Sequence, residues 1–392
     1  MDLSKHGVRV LILSMVAMVF CFTVWVSLSP IAKQFQLIYG LSLSQKAMLI
    51  SIPMLMGSIM RIPLGILTDR IGGRKVFTAL MLFMVIPTLG VSFTSSFSGL
   101  VFWAFFMGMA GTSFAVGIAY VSKFFPPHQQ GLVLGIVALG NFGTAVASFT
   151  VPSLAESFGI QNSFWILAIL MFVMAVVFWI GTVEMPLPKE KKTLMQSLVI
   201  LKYMHTWFLA LLYFITFGVF MFFAIYLPTF LQDLFAVTMV KAGVLTAVFL
   251  SVATLCRPVG GWLADKLGAG KVLVVVYAMV ITTTLFLAFG AQTPAPFLFI
   301  SYVLSFFLGL GNGAVFKLVP AIFPQQTGAV TGIVGAIGGL GGFGLPLVFG
   351  NIKATTGFYQ NGFLFVSALA LCCLVITLRR YLRETAPAVV NP

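Results

Sequence analysis

Arg61-Ile-Pro-Leu-Gly65-Ile-Leu-Thr-Asp69-Arg-Ile-Gly72-Gly-Arg-Lys75 is written twice in this chain, the second time as Arg257-Pro-Val-Gly-Gly261-Trp-Leu-Ala-Asp265-Lys-Leu-Gly268-Ala-Gly-Lys271. The shared Arg, Gly, Asp, Gly and Lys positions are all 196 residues apart, half of the 392-residue chain. Further on, Gly131-Leu-Val-Leu-Gly135 matches Gly328-Ala-Val-Thr-Gly332, and Gly140-Asn-Phe-Gly143 matches Gly338-Gly-Leu-Gly341 in nearly the same register. The chain therefore reads as a tandem repeat of two similar halves. Within each copy an apolar helix ends at the Asp, turns at glycine and starts again. Gly72 and Gly73 permit a tight turn. Asp69 can accept from a neighbouring helix N-terminus, and Arg70, Arg74 and Lys75 suit a membrane surface. Asp69 and Asp265 are accordingly read as structural or gating residues rather than as ligand contacts.

Outside the repeat, composition sets the solvent. Hydrophobic residues make up 60% of the chain and charged ones 8%, against about 45–50% and about 25% in an ordinary globular protein. Such a chain lives in lipid, where only helices or closed barrels satisfy the backbone. Its apolar runs, such as Val8–Val26, Phe164–Ile180 and Val272–Ala291, approach the ~20 residues of a spanning helix and lack strand alternation. The first run is read as an uncleaved span rather than a signal peptide. Twelve spans are expected at roughly 8–30, 44–67, 75–94, 97–122, 131–154, 161–182, 205–232, 242–264, 271–291, 296–318, 328–351 and 358–381. The net charge of +14 comes from 22 Lys+Arg against 8 Asp+Glu. With the N-terminus inside, fifteen cations fall in inside segments and four (Lys33, Lys46, Lys241, Lys353) in outside loops. That is the positive-inside bias, not a nucleic-acid footprint. Cys21, Cys256, Cys372 and Cys373 all lie in apolar runs without metal-ligand spacing. No metal or other cofactor is expected.

The longest polar connection, Glu184–Lys202, contains Pro186, Pro188 and the basic run Lys189, Lys191, Lys192. It divides the chain into a bundle at 1–183, a linker at 184–204 and a bundle at 205–392. The expected fold is all-α and integral to the membrane, with twelve transmembrane helices in two six-helix repeats and both termini cytoplasmic. Parallel six-helix repeats are the architecture of major facilitator transporters, whose site lies near the midplane between the halves.

Three cations remain inside the membrane: Arg61, Arg257 and Lys317. Arg61 precedes Asp69 by eight residues, so it lies ~12 Å above that helix end, near the centre of a hydrocarbon layer whose half-thickness is ~15 Å. Arg257 has the same spacing to Asp265. An arginine at that depth costs at least ~2.5–3.5 kcal/mol on insertion scales and should face a cavity. The acids are Asp2, Asp69, Glu156, Glu184, Glu190, Asp233, Asp265 and Glu384; none falls at mid-span in this topology. A ligand should supply the missing negative charge. Two facing guanidiniums make a clamp for a planar or tetrahedral oxyanion, since each donates two parallel hydrogen bonds. Lys317 has a stem long enough to snorkel to the surface and is read as a gating or coupling residue before a ligand contact. The glycines Gly140–Gly143 and Gly335–Gly344 lack the strand a nucleotide loop needs and suit close helix packing. Asn141 among them carries a mid-membrane amide that needs a partner.

Ala138-Leu-Gly-Asn-Phe-Gly-Thr-Ala-Val146 and Gly335-Ala-Ile-Gly-Gly-Leu-Gly-Gly-Phe343 resemble the paired nitrate signatures of the nitrate/nitrite porter (NarK-type) family of the major facilitator superfamily. Leu211-Leu-Tyr213-Phe-Ile-Thr-Phe-Gly218 and Gly311-Asn-Gly-Ala-Val-Phe-Lys317 are similar to that family too. The resemblance implies a nitrate site between the halves: Arg61 and Arg257 as its anion-binding arginines, Asn141 and Tyr213 as further contacts, and Phe114 as an aromatic against the planar anion. It adds Gly143 and Gly341 to Lys317, Asp69 and Asp265 as coupling or gating positions. It also implies a multi-pass transporter of the cell membrane rather than an enzyme, functional as a monomer, with nitrate, nitrite and the lipid bilayer as partners. Exchange of nitrate for nitrite, in nitrate assimilation or respiration, is the expected mode, because no mid-span carboxylate is available for a proton relay. Nitrate–proton symport is the alternative. An organophosphate/phosphate antiporter also uses paired arginines, but needs a larger polar cavity than Phe22 and Trp25 of the first span suggest.

Overall fold

The computed structural model describes residues 3–125, 133, 135–185, 199–290, 293–323 and 327–381. Pro186, Pro188, Lys189, Lys191 and Lys192 of the expected linker, and the start of the expected span at 131, lie outside the described residues. Among the described residues the chain is helical. In order it forms α1 (Leu3–Val26), α2 (Ala32–Tyr39), α3 (Leu43–Ile59), α4 (Arg61–Ile71), α5 (Gly73–Phe93), α6 (Phe97–Met107) and α7 (Ser113–Val121). After these come α8 (Gly143–Gly181), α9 (Met204–Tyr213), α10 (Val219–Phe235), α11 (Met239–Leu267), α12 (Ala269–Phe289), α13 (Pro294–Ile322), α14 (Thr327–Thr356) and α15 (Gln360–Ile376).

Ten helices among the described residues are long and apolar enough to cross a membrane, or eleven when α3 and α4 count as one bent span. The continuous stretch Gly135–Gly181 has 47 residues, far more than the ~20 needed to cross the ~30 Å of hydrocarbon. It breaks at Gly159, whose φ of 80° and ψ of 161° are non-helical. Only a residue without a Cβ adopts that backbone readily.

Two features of the duplicated motif recur in the backbone. Gly72 ends α4 at φ 102°, and Gly268 ends α11 at φ 90°. Lys123 then pairs with Asp69 at 3.0 Å, and Lys317 pairs with Asp265. Both glycines occupy the left-handed half of φ, and each fixes the turn into the next helix, α5 or α12. At Gly73 an added Cβ would also run into the Tyr120 ring.

The two halves meet along α3 with α14 and α8 with α11. The stretch Met204–Phe235 is the most enclosed, with 83% of its apolar window buried inside the protein. It is apolar on every face because it faces protein on every face. In contrast, Phe172, Val176, Trp179 and Ile180 of α8 are exposed and form a lipid-facing side. The two ends of the molecule are named here by their acids, the Asp69 end and the Asp233 end.

Candidate functional site

Arg61 is the first residue of α4, directly after a 41° bend at Met60 that breaks the expected continuous span 44–67. The bend brings the arginine into the interface between halves, where it is 3% exposed. Its Nε donates to the Gly111 carbonyl at 3.2 Å in its own half. Its Nη1 donates to the Gly335 carbonyl at 2.8 Å in the other half. Its Nη2 is buried with no partner among the described residues. Three rings surround the guanidinium: Trp25 at 5.4 Å, Phe114 at 5.7 Å and Phe217 at 5.5 Å from their centroids. Trp25 is held in place by its indole N–H, which donates to the Pro53 carbonyl at 3.0 Å.

Arg257 approaches from α11. Its guanidinium carbon lies 5.1 Å from the Phe217 centroid and 5.5 Å from that of Phe220. Its Nε and Nη2 are buried and unpartnered, while the Tyr213 hydroxyl makes a side-chain hydrogen bond with it. Phe217 is thus within cation–π range of both guanidiniums, whose charge its negative face attracts. Among the described residues no carboxylate forms a salt bridge to either arginine. The pair is positive, deeply placed and short of acceptors.

Tyr213, Phe217 and Phe220 owe their positions to a π-turn over Phe214–Gly218 between α9 and α10. Such a turn inserts one extra residue and redirects the side chains around it. Phe217 stacks on Tyr213 at 5.0 Å and 8°, and Phe316 of α13 meets Tyr213 edge-on at 4.7 Å. Glycines allow α14 to press against this turn. A Cβ on Gly341 would meet the Gly218 backbone, and one on Gly338 would meet the Tyr213 ring. Likewise a Cβ on Gly143 would strike the Val19 carbonyl and Phe22 of α1.

The structure therefore brings Arg61, Arg257, Tyr213 and Phe114 around one point. Asn141 sits in a 3₁₀ turn, Leu139–Phe142, which packs against α1 and α11. It is buried, its Nδ2 donates to the Ala138 carbonyl at 2.8 Å, and its Oδ1 has no partner. No contact joins it to either arginine in this state. Asp69, Asp265 and Lys317 stand apart from the arginines. Lys317 was counted among the cations inside the membrane, but its ammonium reaches Asp265 and is half exposed. Trp25, Phe217, Phe220 and Gly335 were missed in the sequence. Only the repeat-defined arginines could have pointed to them, through the rings that must surround a buried cation.

On the Asp233 side of Arg61 the two halves are joined. Ser29 Oγ donates to the Ile225 carbonyl at 2.5 Å, Lys46 pairs with Asp233 at 2.8 Å, and Ser44 bonds Asn351 at 3.1 Å.

Comparison with known proteins follows this geometry. The profile of the Major Facilitator Superfamily matches residues 10–346 and 209–392. The chain is 37% identical to the nitrite extrusion protein of Bacillus subtilis over 95% of this chain and 94% of that one. It is 34% identical to the probable nitrate transporter NarT of Staphylococcus epidermidis, covering 97% and 98%. It is 33% identical to the probable nitrate/nitrite antiporter NarK1 of Thermus thermophilus, covering 98% and 94%. Among solved structures, it shares its fold with a bacterial homologue of the human lysosomal transporter Spinster in an inward-facing, unoccupied conformation, at TM-score 0.71, 18% identity and 95% coverage of both chains.

Proposed function

The chain belongs to the Major Facilitator Superfamily, as a NarK-type nitrate/nitrite porter of the cell membrane and not an enzyme, and on that premise we propose that it carries nitrate and nitrite by alternating access, with the anion held between Arg61 and Arg257. The observation that carries the reading is the unpartnered nitrogens, Nη2 of Arg61 with Nε and Nη2 of Arg257, around a ring they share. Buried charged donors normally find acceptors. A flat monovalent oxyanion supplies them and lies along an aromatic face without adding bulk. Tyr213 orients Arg257, and Phe114 with Trp25 shields Arg61 from water. Asn141 joins the site when α8 and α1 shift, its Nδ2 turning from the Ala138 carbonyl to donate to the anion, which its glycine neighbours let approach.

The topology goes with it. Dividing Gly135–Gly181 at Gly159 gives twelve spans, bundles at 1–183 and 205–392, and both termini on the Asp69 side. The positive-inside bias makes that side cytoplasmic. The contacts at the Asp233 end then close the outer side. Transport proceeds as the anion draws the two arginines together and the halves rock about it. Exchange is the mode this charge arrangement favours, since the emptied pair repels itself and resists closing.

Counterflow in proteoliposomes tests the reading. Nitrate or nitrite trapped inside should drive labelled nitrate in, with or without a proton gradient. Robust phosphate counterflow without nitrate uptake would overturn the substrate. Uptake that needs the proton gradient would replace exchange by symport.

A further inference from the structure

Lys33, Lys46 and Asp233 are each at the wrong end of a helix. Lys33 and Lys46 lie in the first turns of α2 and α3, where the helix dipole is positive, and Asp233 lies in the last turn of α10, where it is negative. None of the three stabilises its own helix. Their placement makes sense only across the interface. Lys46 is 1% exposed and its ammonium is 2.8 Å from Asp233 Oδ2. Lys33 stands 3.9 Å from Oδ1 and donates to the Gln232 carbonyl at 3.2 Å. Both lysines belong to the amino-terminal half and Asp233 to the other.

We infer that Lys33 and Lys46 form an outer anion-capture site, which the Asp233 carboxylate fills while the outer side is closed and a monovalent oxyanion fills from outside when it opens. This rests on the transport reading above. Opening must carry Asp233 away with its half. Two lysines and two helix N-termini then remain around one spot, a strongly anion-attracting environment. Opening lets water and solutes reach Lys46, and an incoming anion takes the place that the departing carboxylate leaves. Nitrite and nitrate are suited to the exchange, because they present planar, charge-sharing oxygens as a carboxylate does. The phenols of Tyr226 and Tyr359 also face Asp233. A phenol carries no positive charge, so the lysines alone supply the counter-charge to Asp233. With two ammoniums against one carboxylate, the cluster keeps a net positive charge even when closed.

The arrangement makes outer opening responsive to anion outside. Asp233 and the substrate compete for the same lysines, and substrate outside shifts the balance toward the open form.

The test is the sidedness of nitrate affinity in oriented proteoliposomes, for wild type, Lys33→Gln, Lys46→Gln and the double variant Lys46→Gln/Asp233→Asn. Lys46→Gln should raise the outside KM for nitrate about tenfold, the loss of one charge-assisted hydrogen bond, and leave the inside KM within twofold. Lys33→Gln should act in the same direction. The double variant also removes the carboxylate that Lys46→Gln leaves with only the more distant Lys33 as partner, and it should keep the raised outside KM. A double variant with wild-type outside KM would reduce the pair to a latch, and equal shifts on both sides would make its role purely structural; either result overturns the capture site. Failure of wild type to exchange nitrate would instead sink the transport reading.

Discussion

Replacing Arg61 by lysine keeps the charge and removes the fork, which separates two explanations of a buried cation. The native guanidinium spends Nε on Gly111 at 3.2 Å and Nη1 on Gly335 at 2.8 Å and still has Nη2 to offer. It does so because its donors point in fixed, divergent directions in one plane. An ammonium has three donors radiating from one atom. It cannot hold carbonyls in both halves and also present a parallel pair to an anion. The variant should lose about one charged hydrogen bond to substrate, worth roughly 1.5–3 kcal/mol, or about 10- to 150-fold in affinity. Equilibrium binding of labelled nitrate to the detergent-purified protein reads this directly. A thermal-unfolding curve on the same sample shows whether losing the Gly335 bond also loosened the halves. Arg257→Lys should be affected on the same scale, because its Nε and Nη2 are likewise unpartnered. A folded Arg61→Lys protein with affinity within threefold of wild type would refute planar bidentate binding and leave charge alone as the requirement.

Three other outcomes follow from the packing and the charges. Gly341→Ala places a methyl against the Gly218 backbone, so it should cost about 1–3 kcal/mol of stability and slow transport by moving the π-turn that holds Tyr213; a thermal shift with a rate assay checks both. Gly72→Ala forces a side chain into φ 102° beside Glu184 and should destabilise by about 1–3 kcal/mol, whereas alanine at Gly65, whose nearest neighbour is 3.9 Å away, should be mild by the same measurement. The two guanidinium carbons lie within 5.5 Å of the Phe217 centroid. Their charges are therefore at most about 11 Å apart and repel by ~1.5 kcal/mol at an effective dielectric of ~20. Labelled nitrate efflux should accordingly run about tenfold faster into nitrate-containing than into anion-free medium, and equal rates would remove repulsion as the basis of exchange.

Much of the fold could be read from one duplicated motif, because the motif has few conformations open to it. Gly72 and Gly268 turn two apolar helices at matching backbone angles, and counting back from Asp69 and Asp265 places two arginines at one depth. What escaped reading has a common cause. Spans that are apolar on every face carry no periodicity to show which way they turn or where they deform. Pro63 marks the break at Met60, but the 3₁₀ turns at Gly108–Thr112 and Leu139–Phe142 and the π-turn at Phe214–Gly218 have no comparable signal. The rings follow the same logic. In a chain with 41 phenylalanines, nothing local distinguishes Phe217, which is within cation–π range of both arginines, from Phe222, which stacks on Tyr226. Lys46 shows the opposite error. Its position counts it with the outside-loop cations, yet it is buried in α3 against Asp233, because sequence gives the depth of a charge but not its partner across an interface.

The two cationic clusters differ in one respect that bears on how the carrier cycles. At the outer end the lysines are matched by Asp233, which is carried by the opposite half, so closing the outer side supplies its own counter-charge. At the centre no described acid pairs with Arg61 or Arg257. Arg61 reaches across only to the Gly335 carbonyl, a dipole rather than a charge. Sealing the inner side brings positive charges together without compensation, unless an anion comes with them. A fixed carboxylate at the centre would remove that dependence. It would bind the arginines in the empty carrier, let the halves rock without cargo, and turn an exchanger into a leak. The shortage of acids in this sequence is thus not only a consequence of living in lipid. On the proposed cycle it leaves the central site unable to close on itself, while Asp233 sits where closing without substrate is safe.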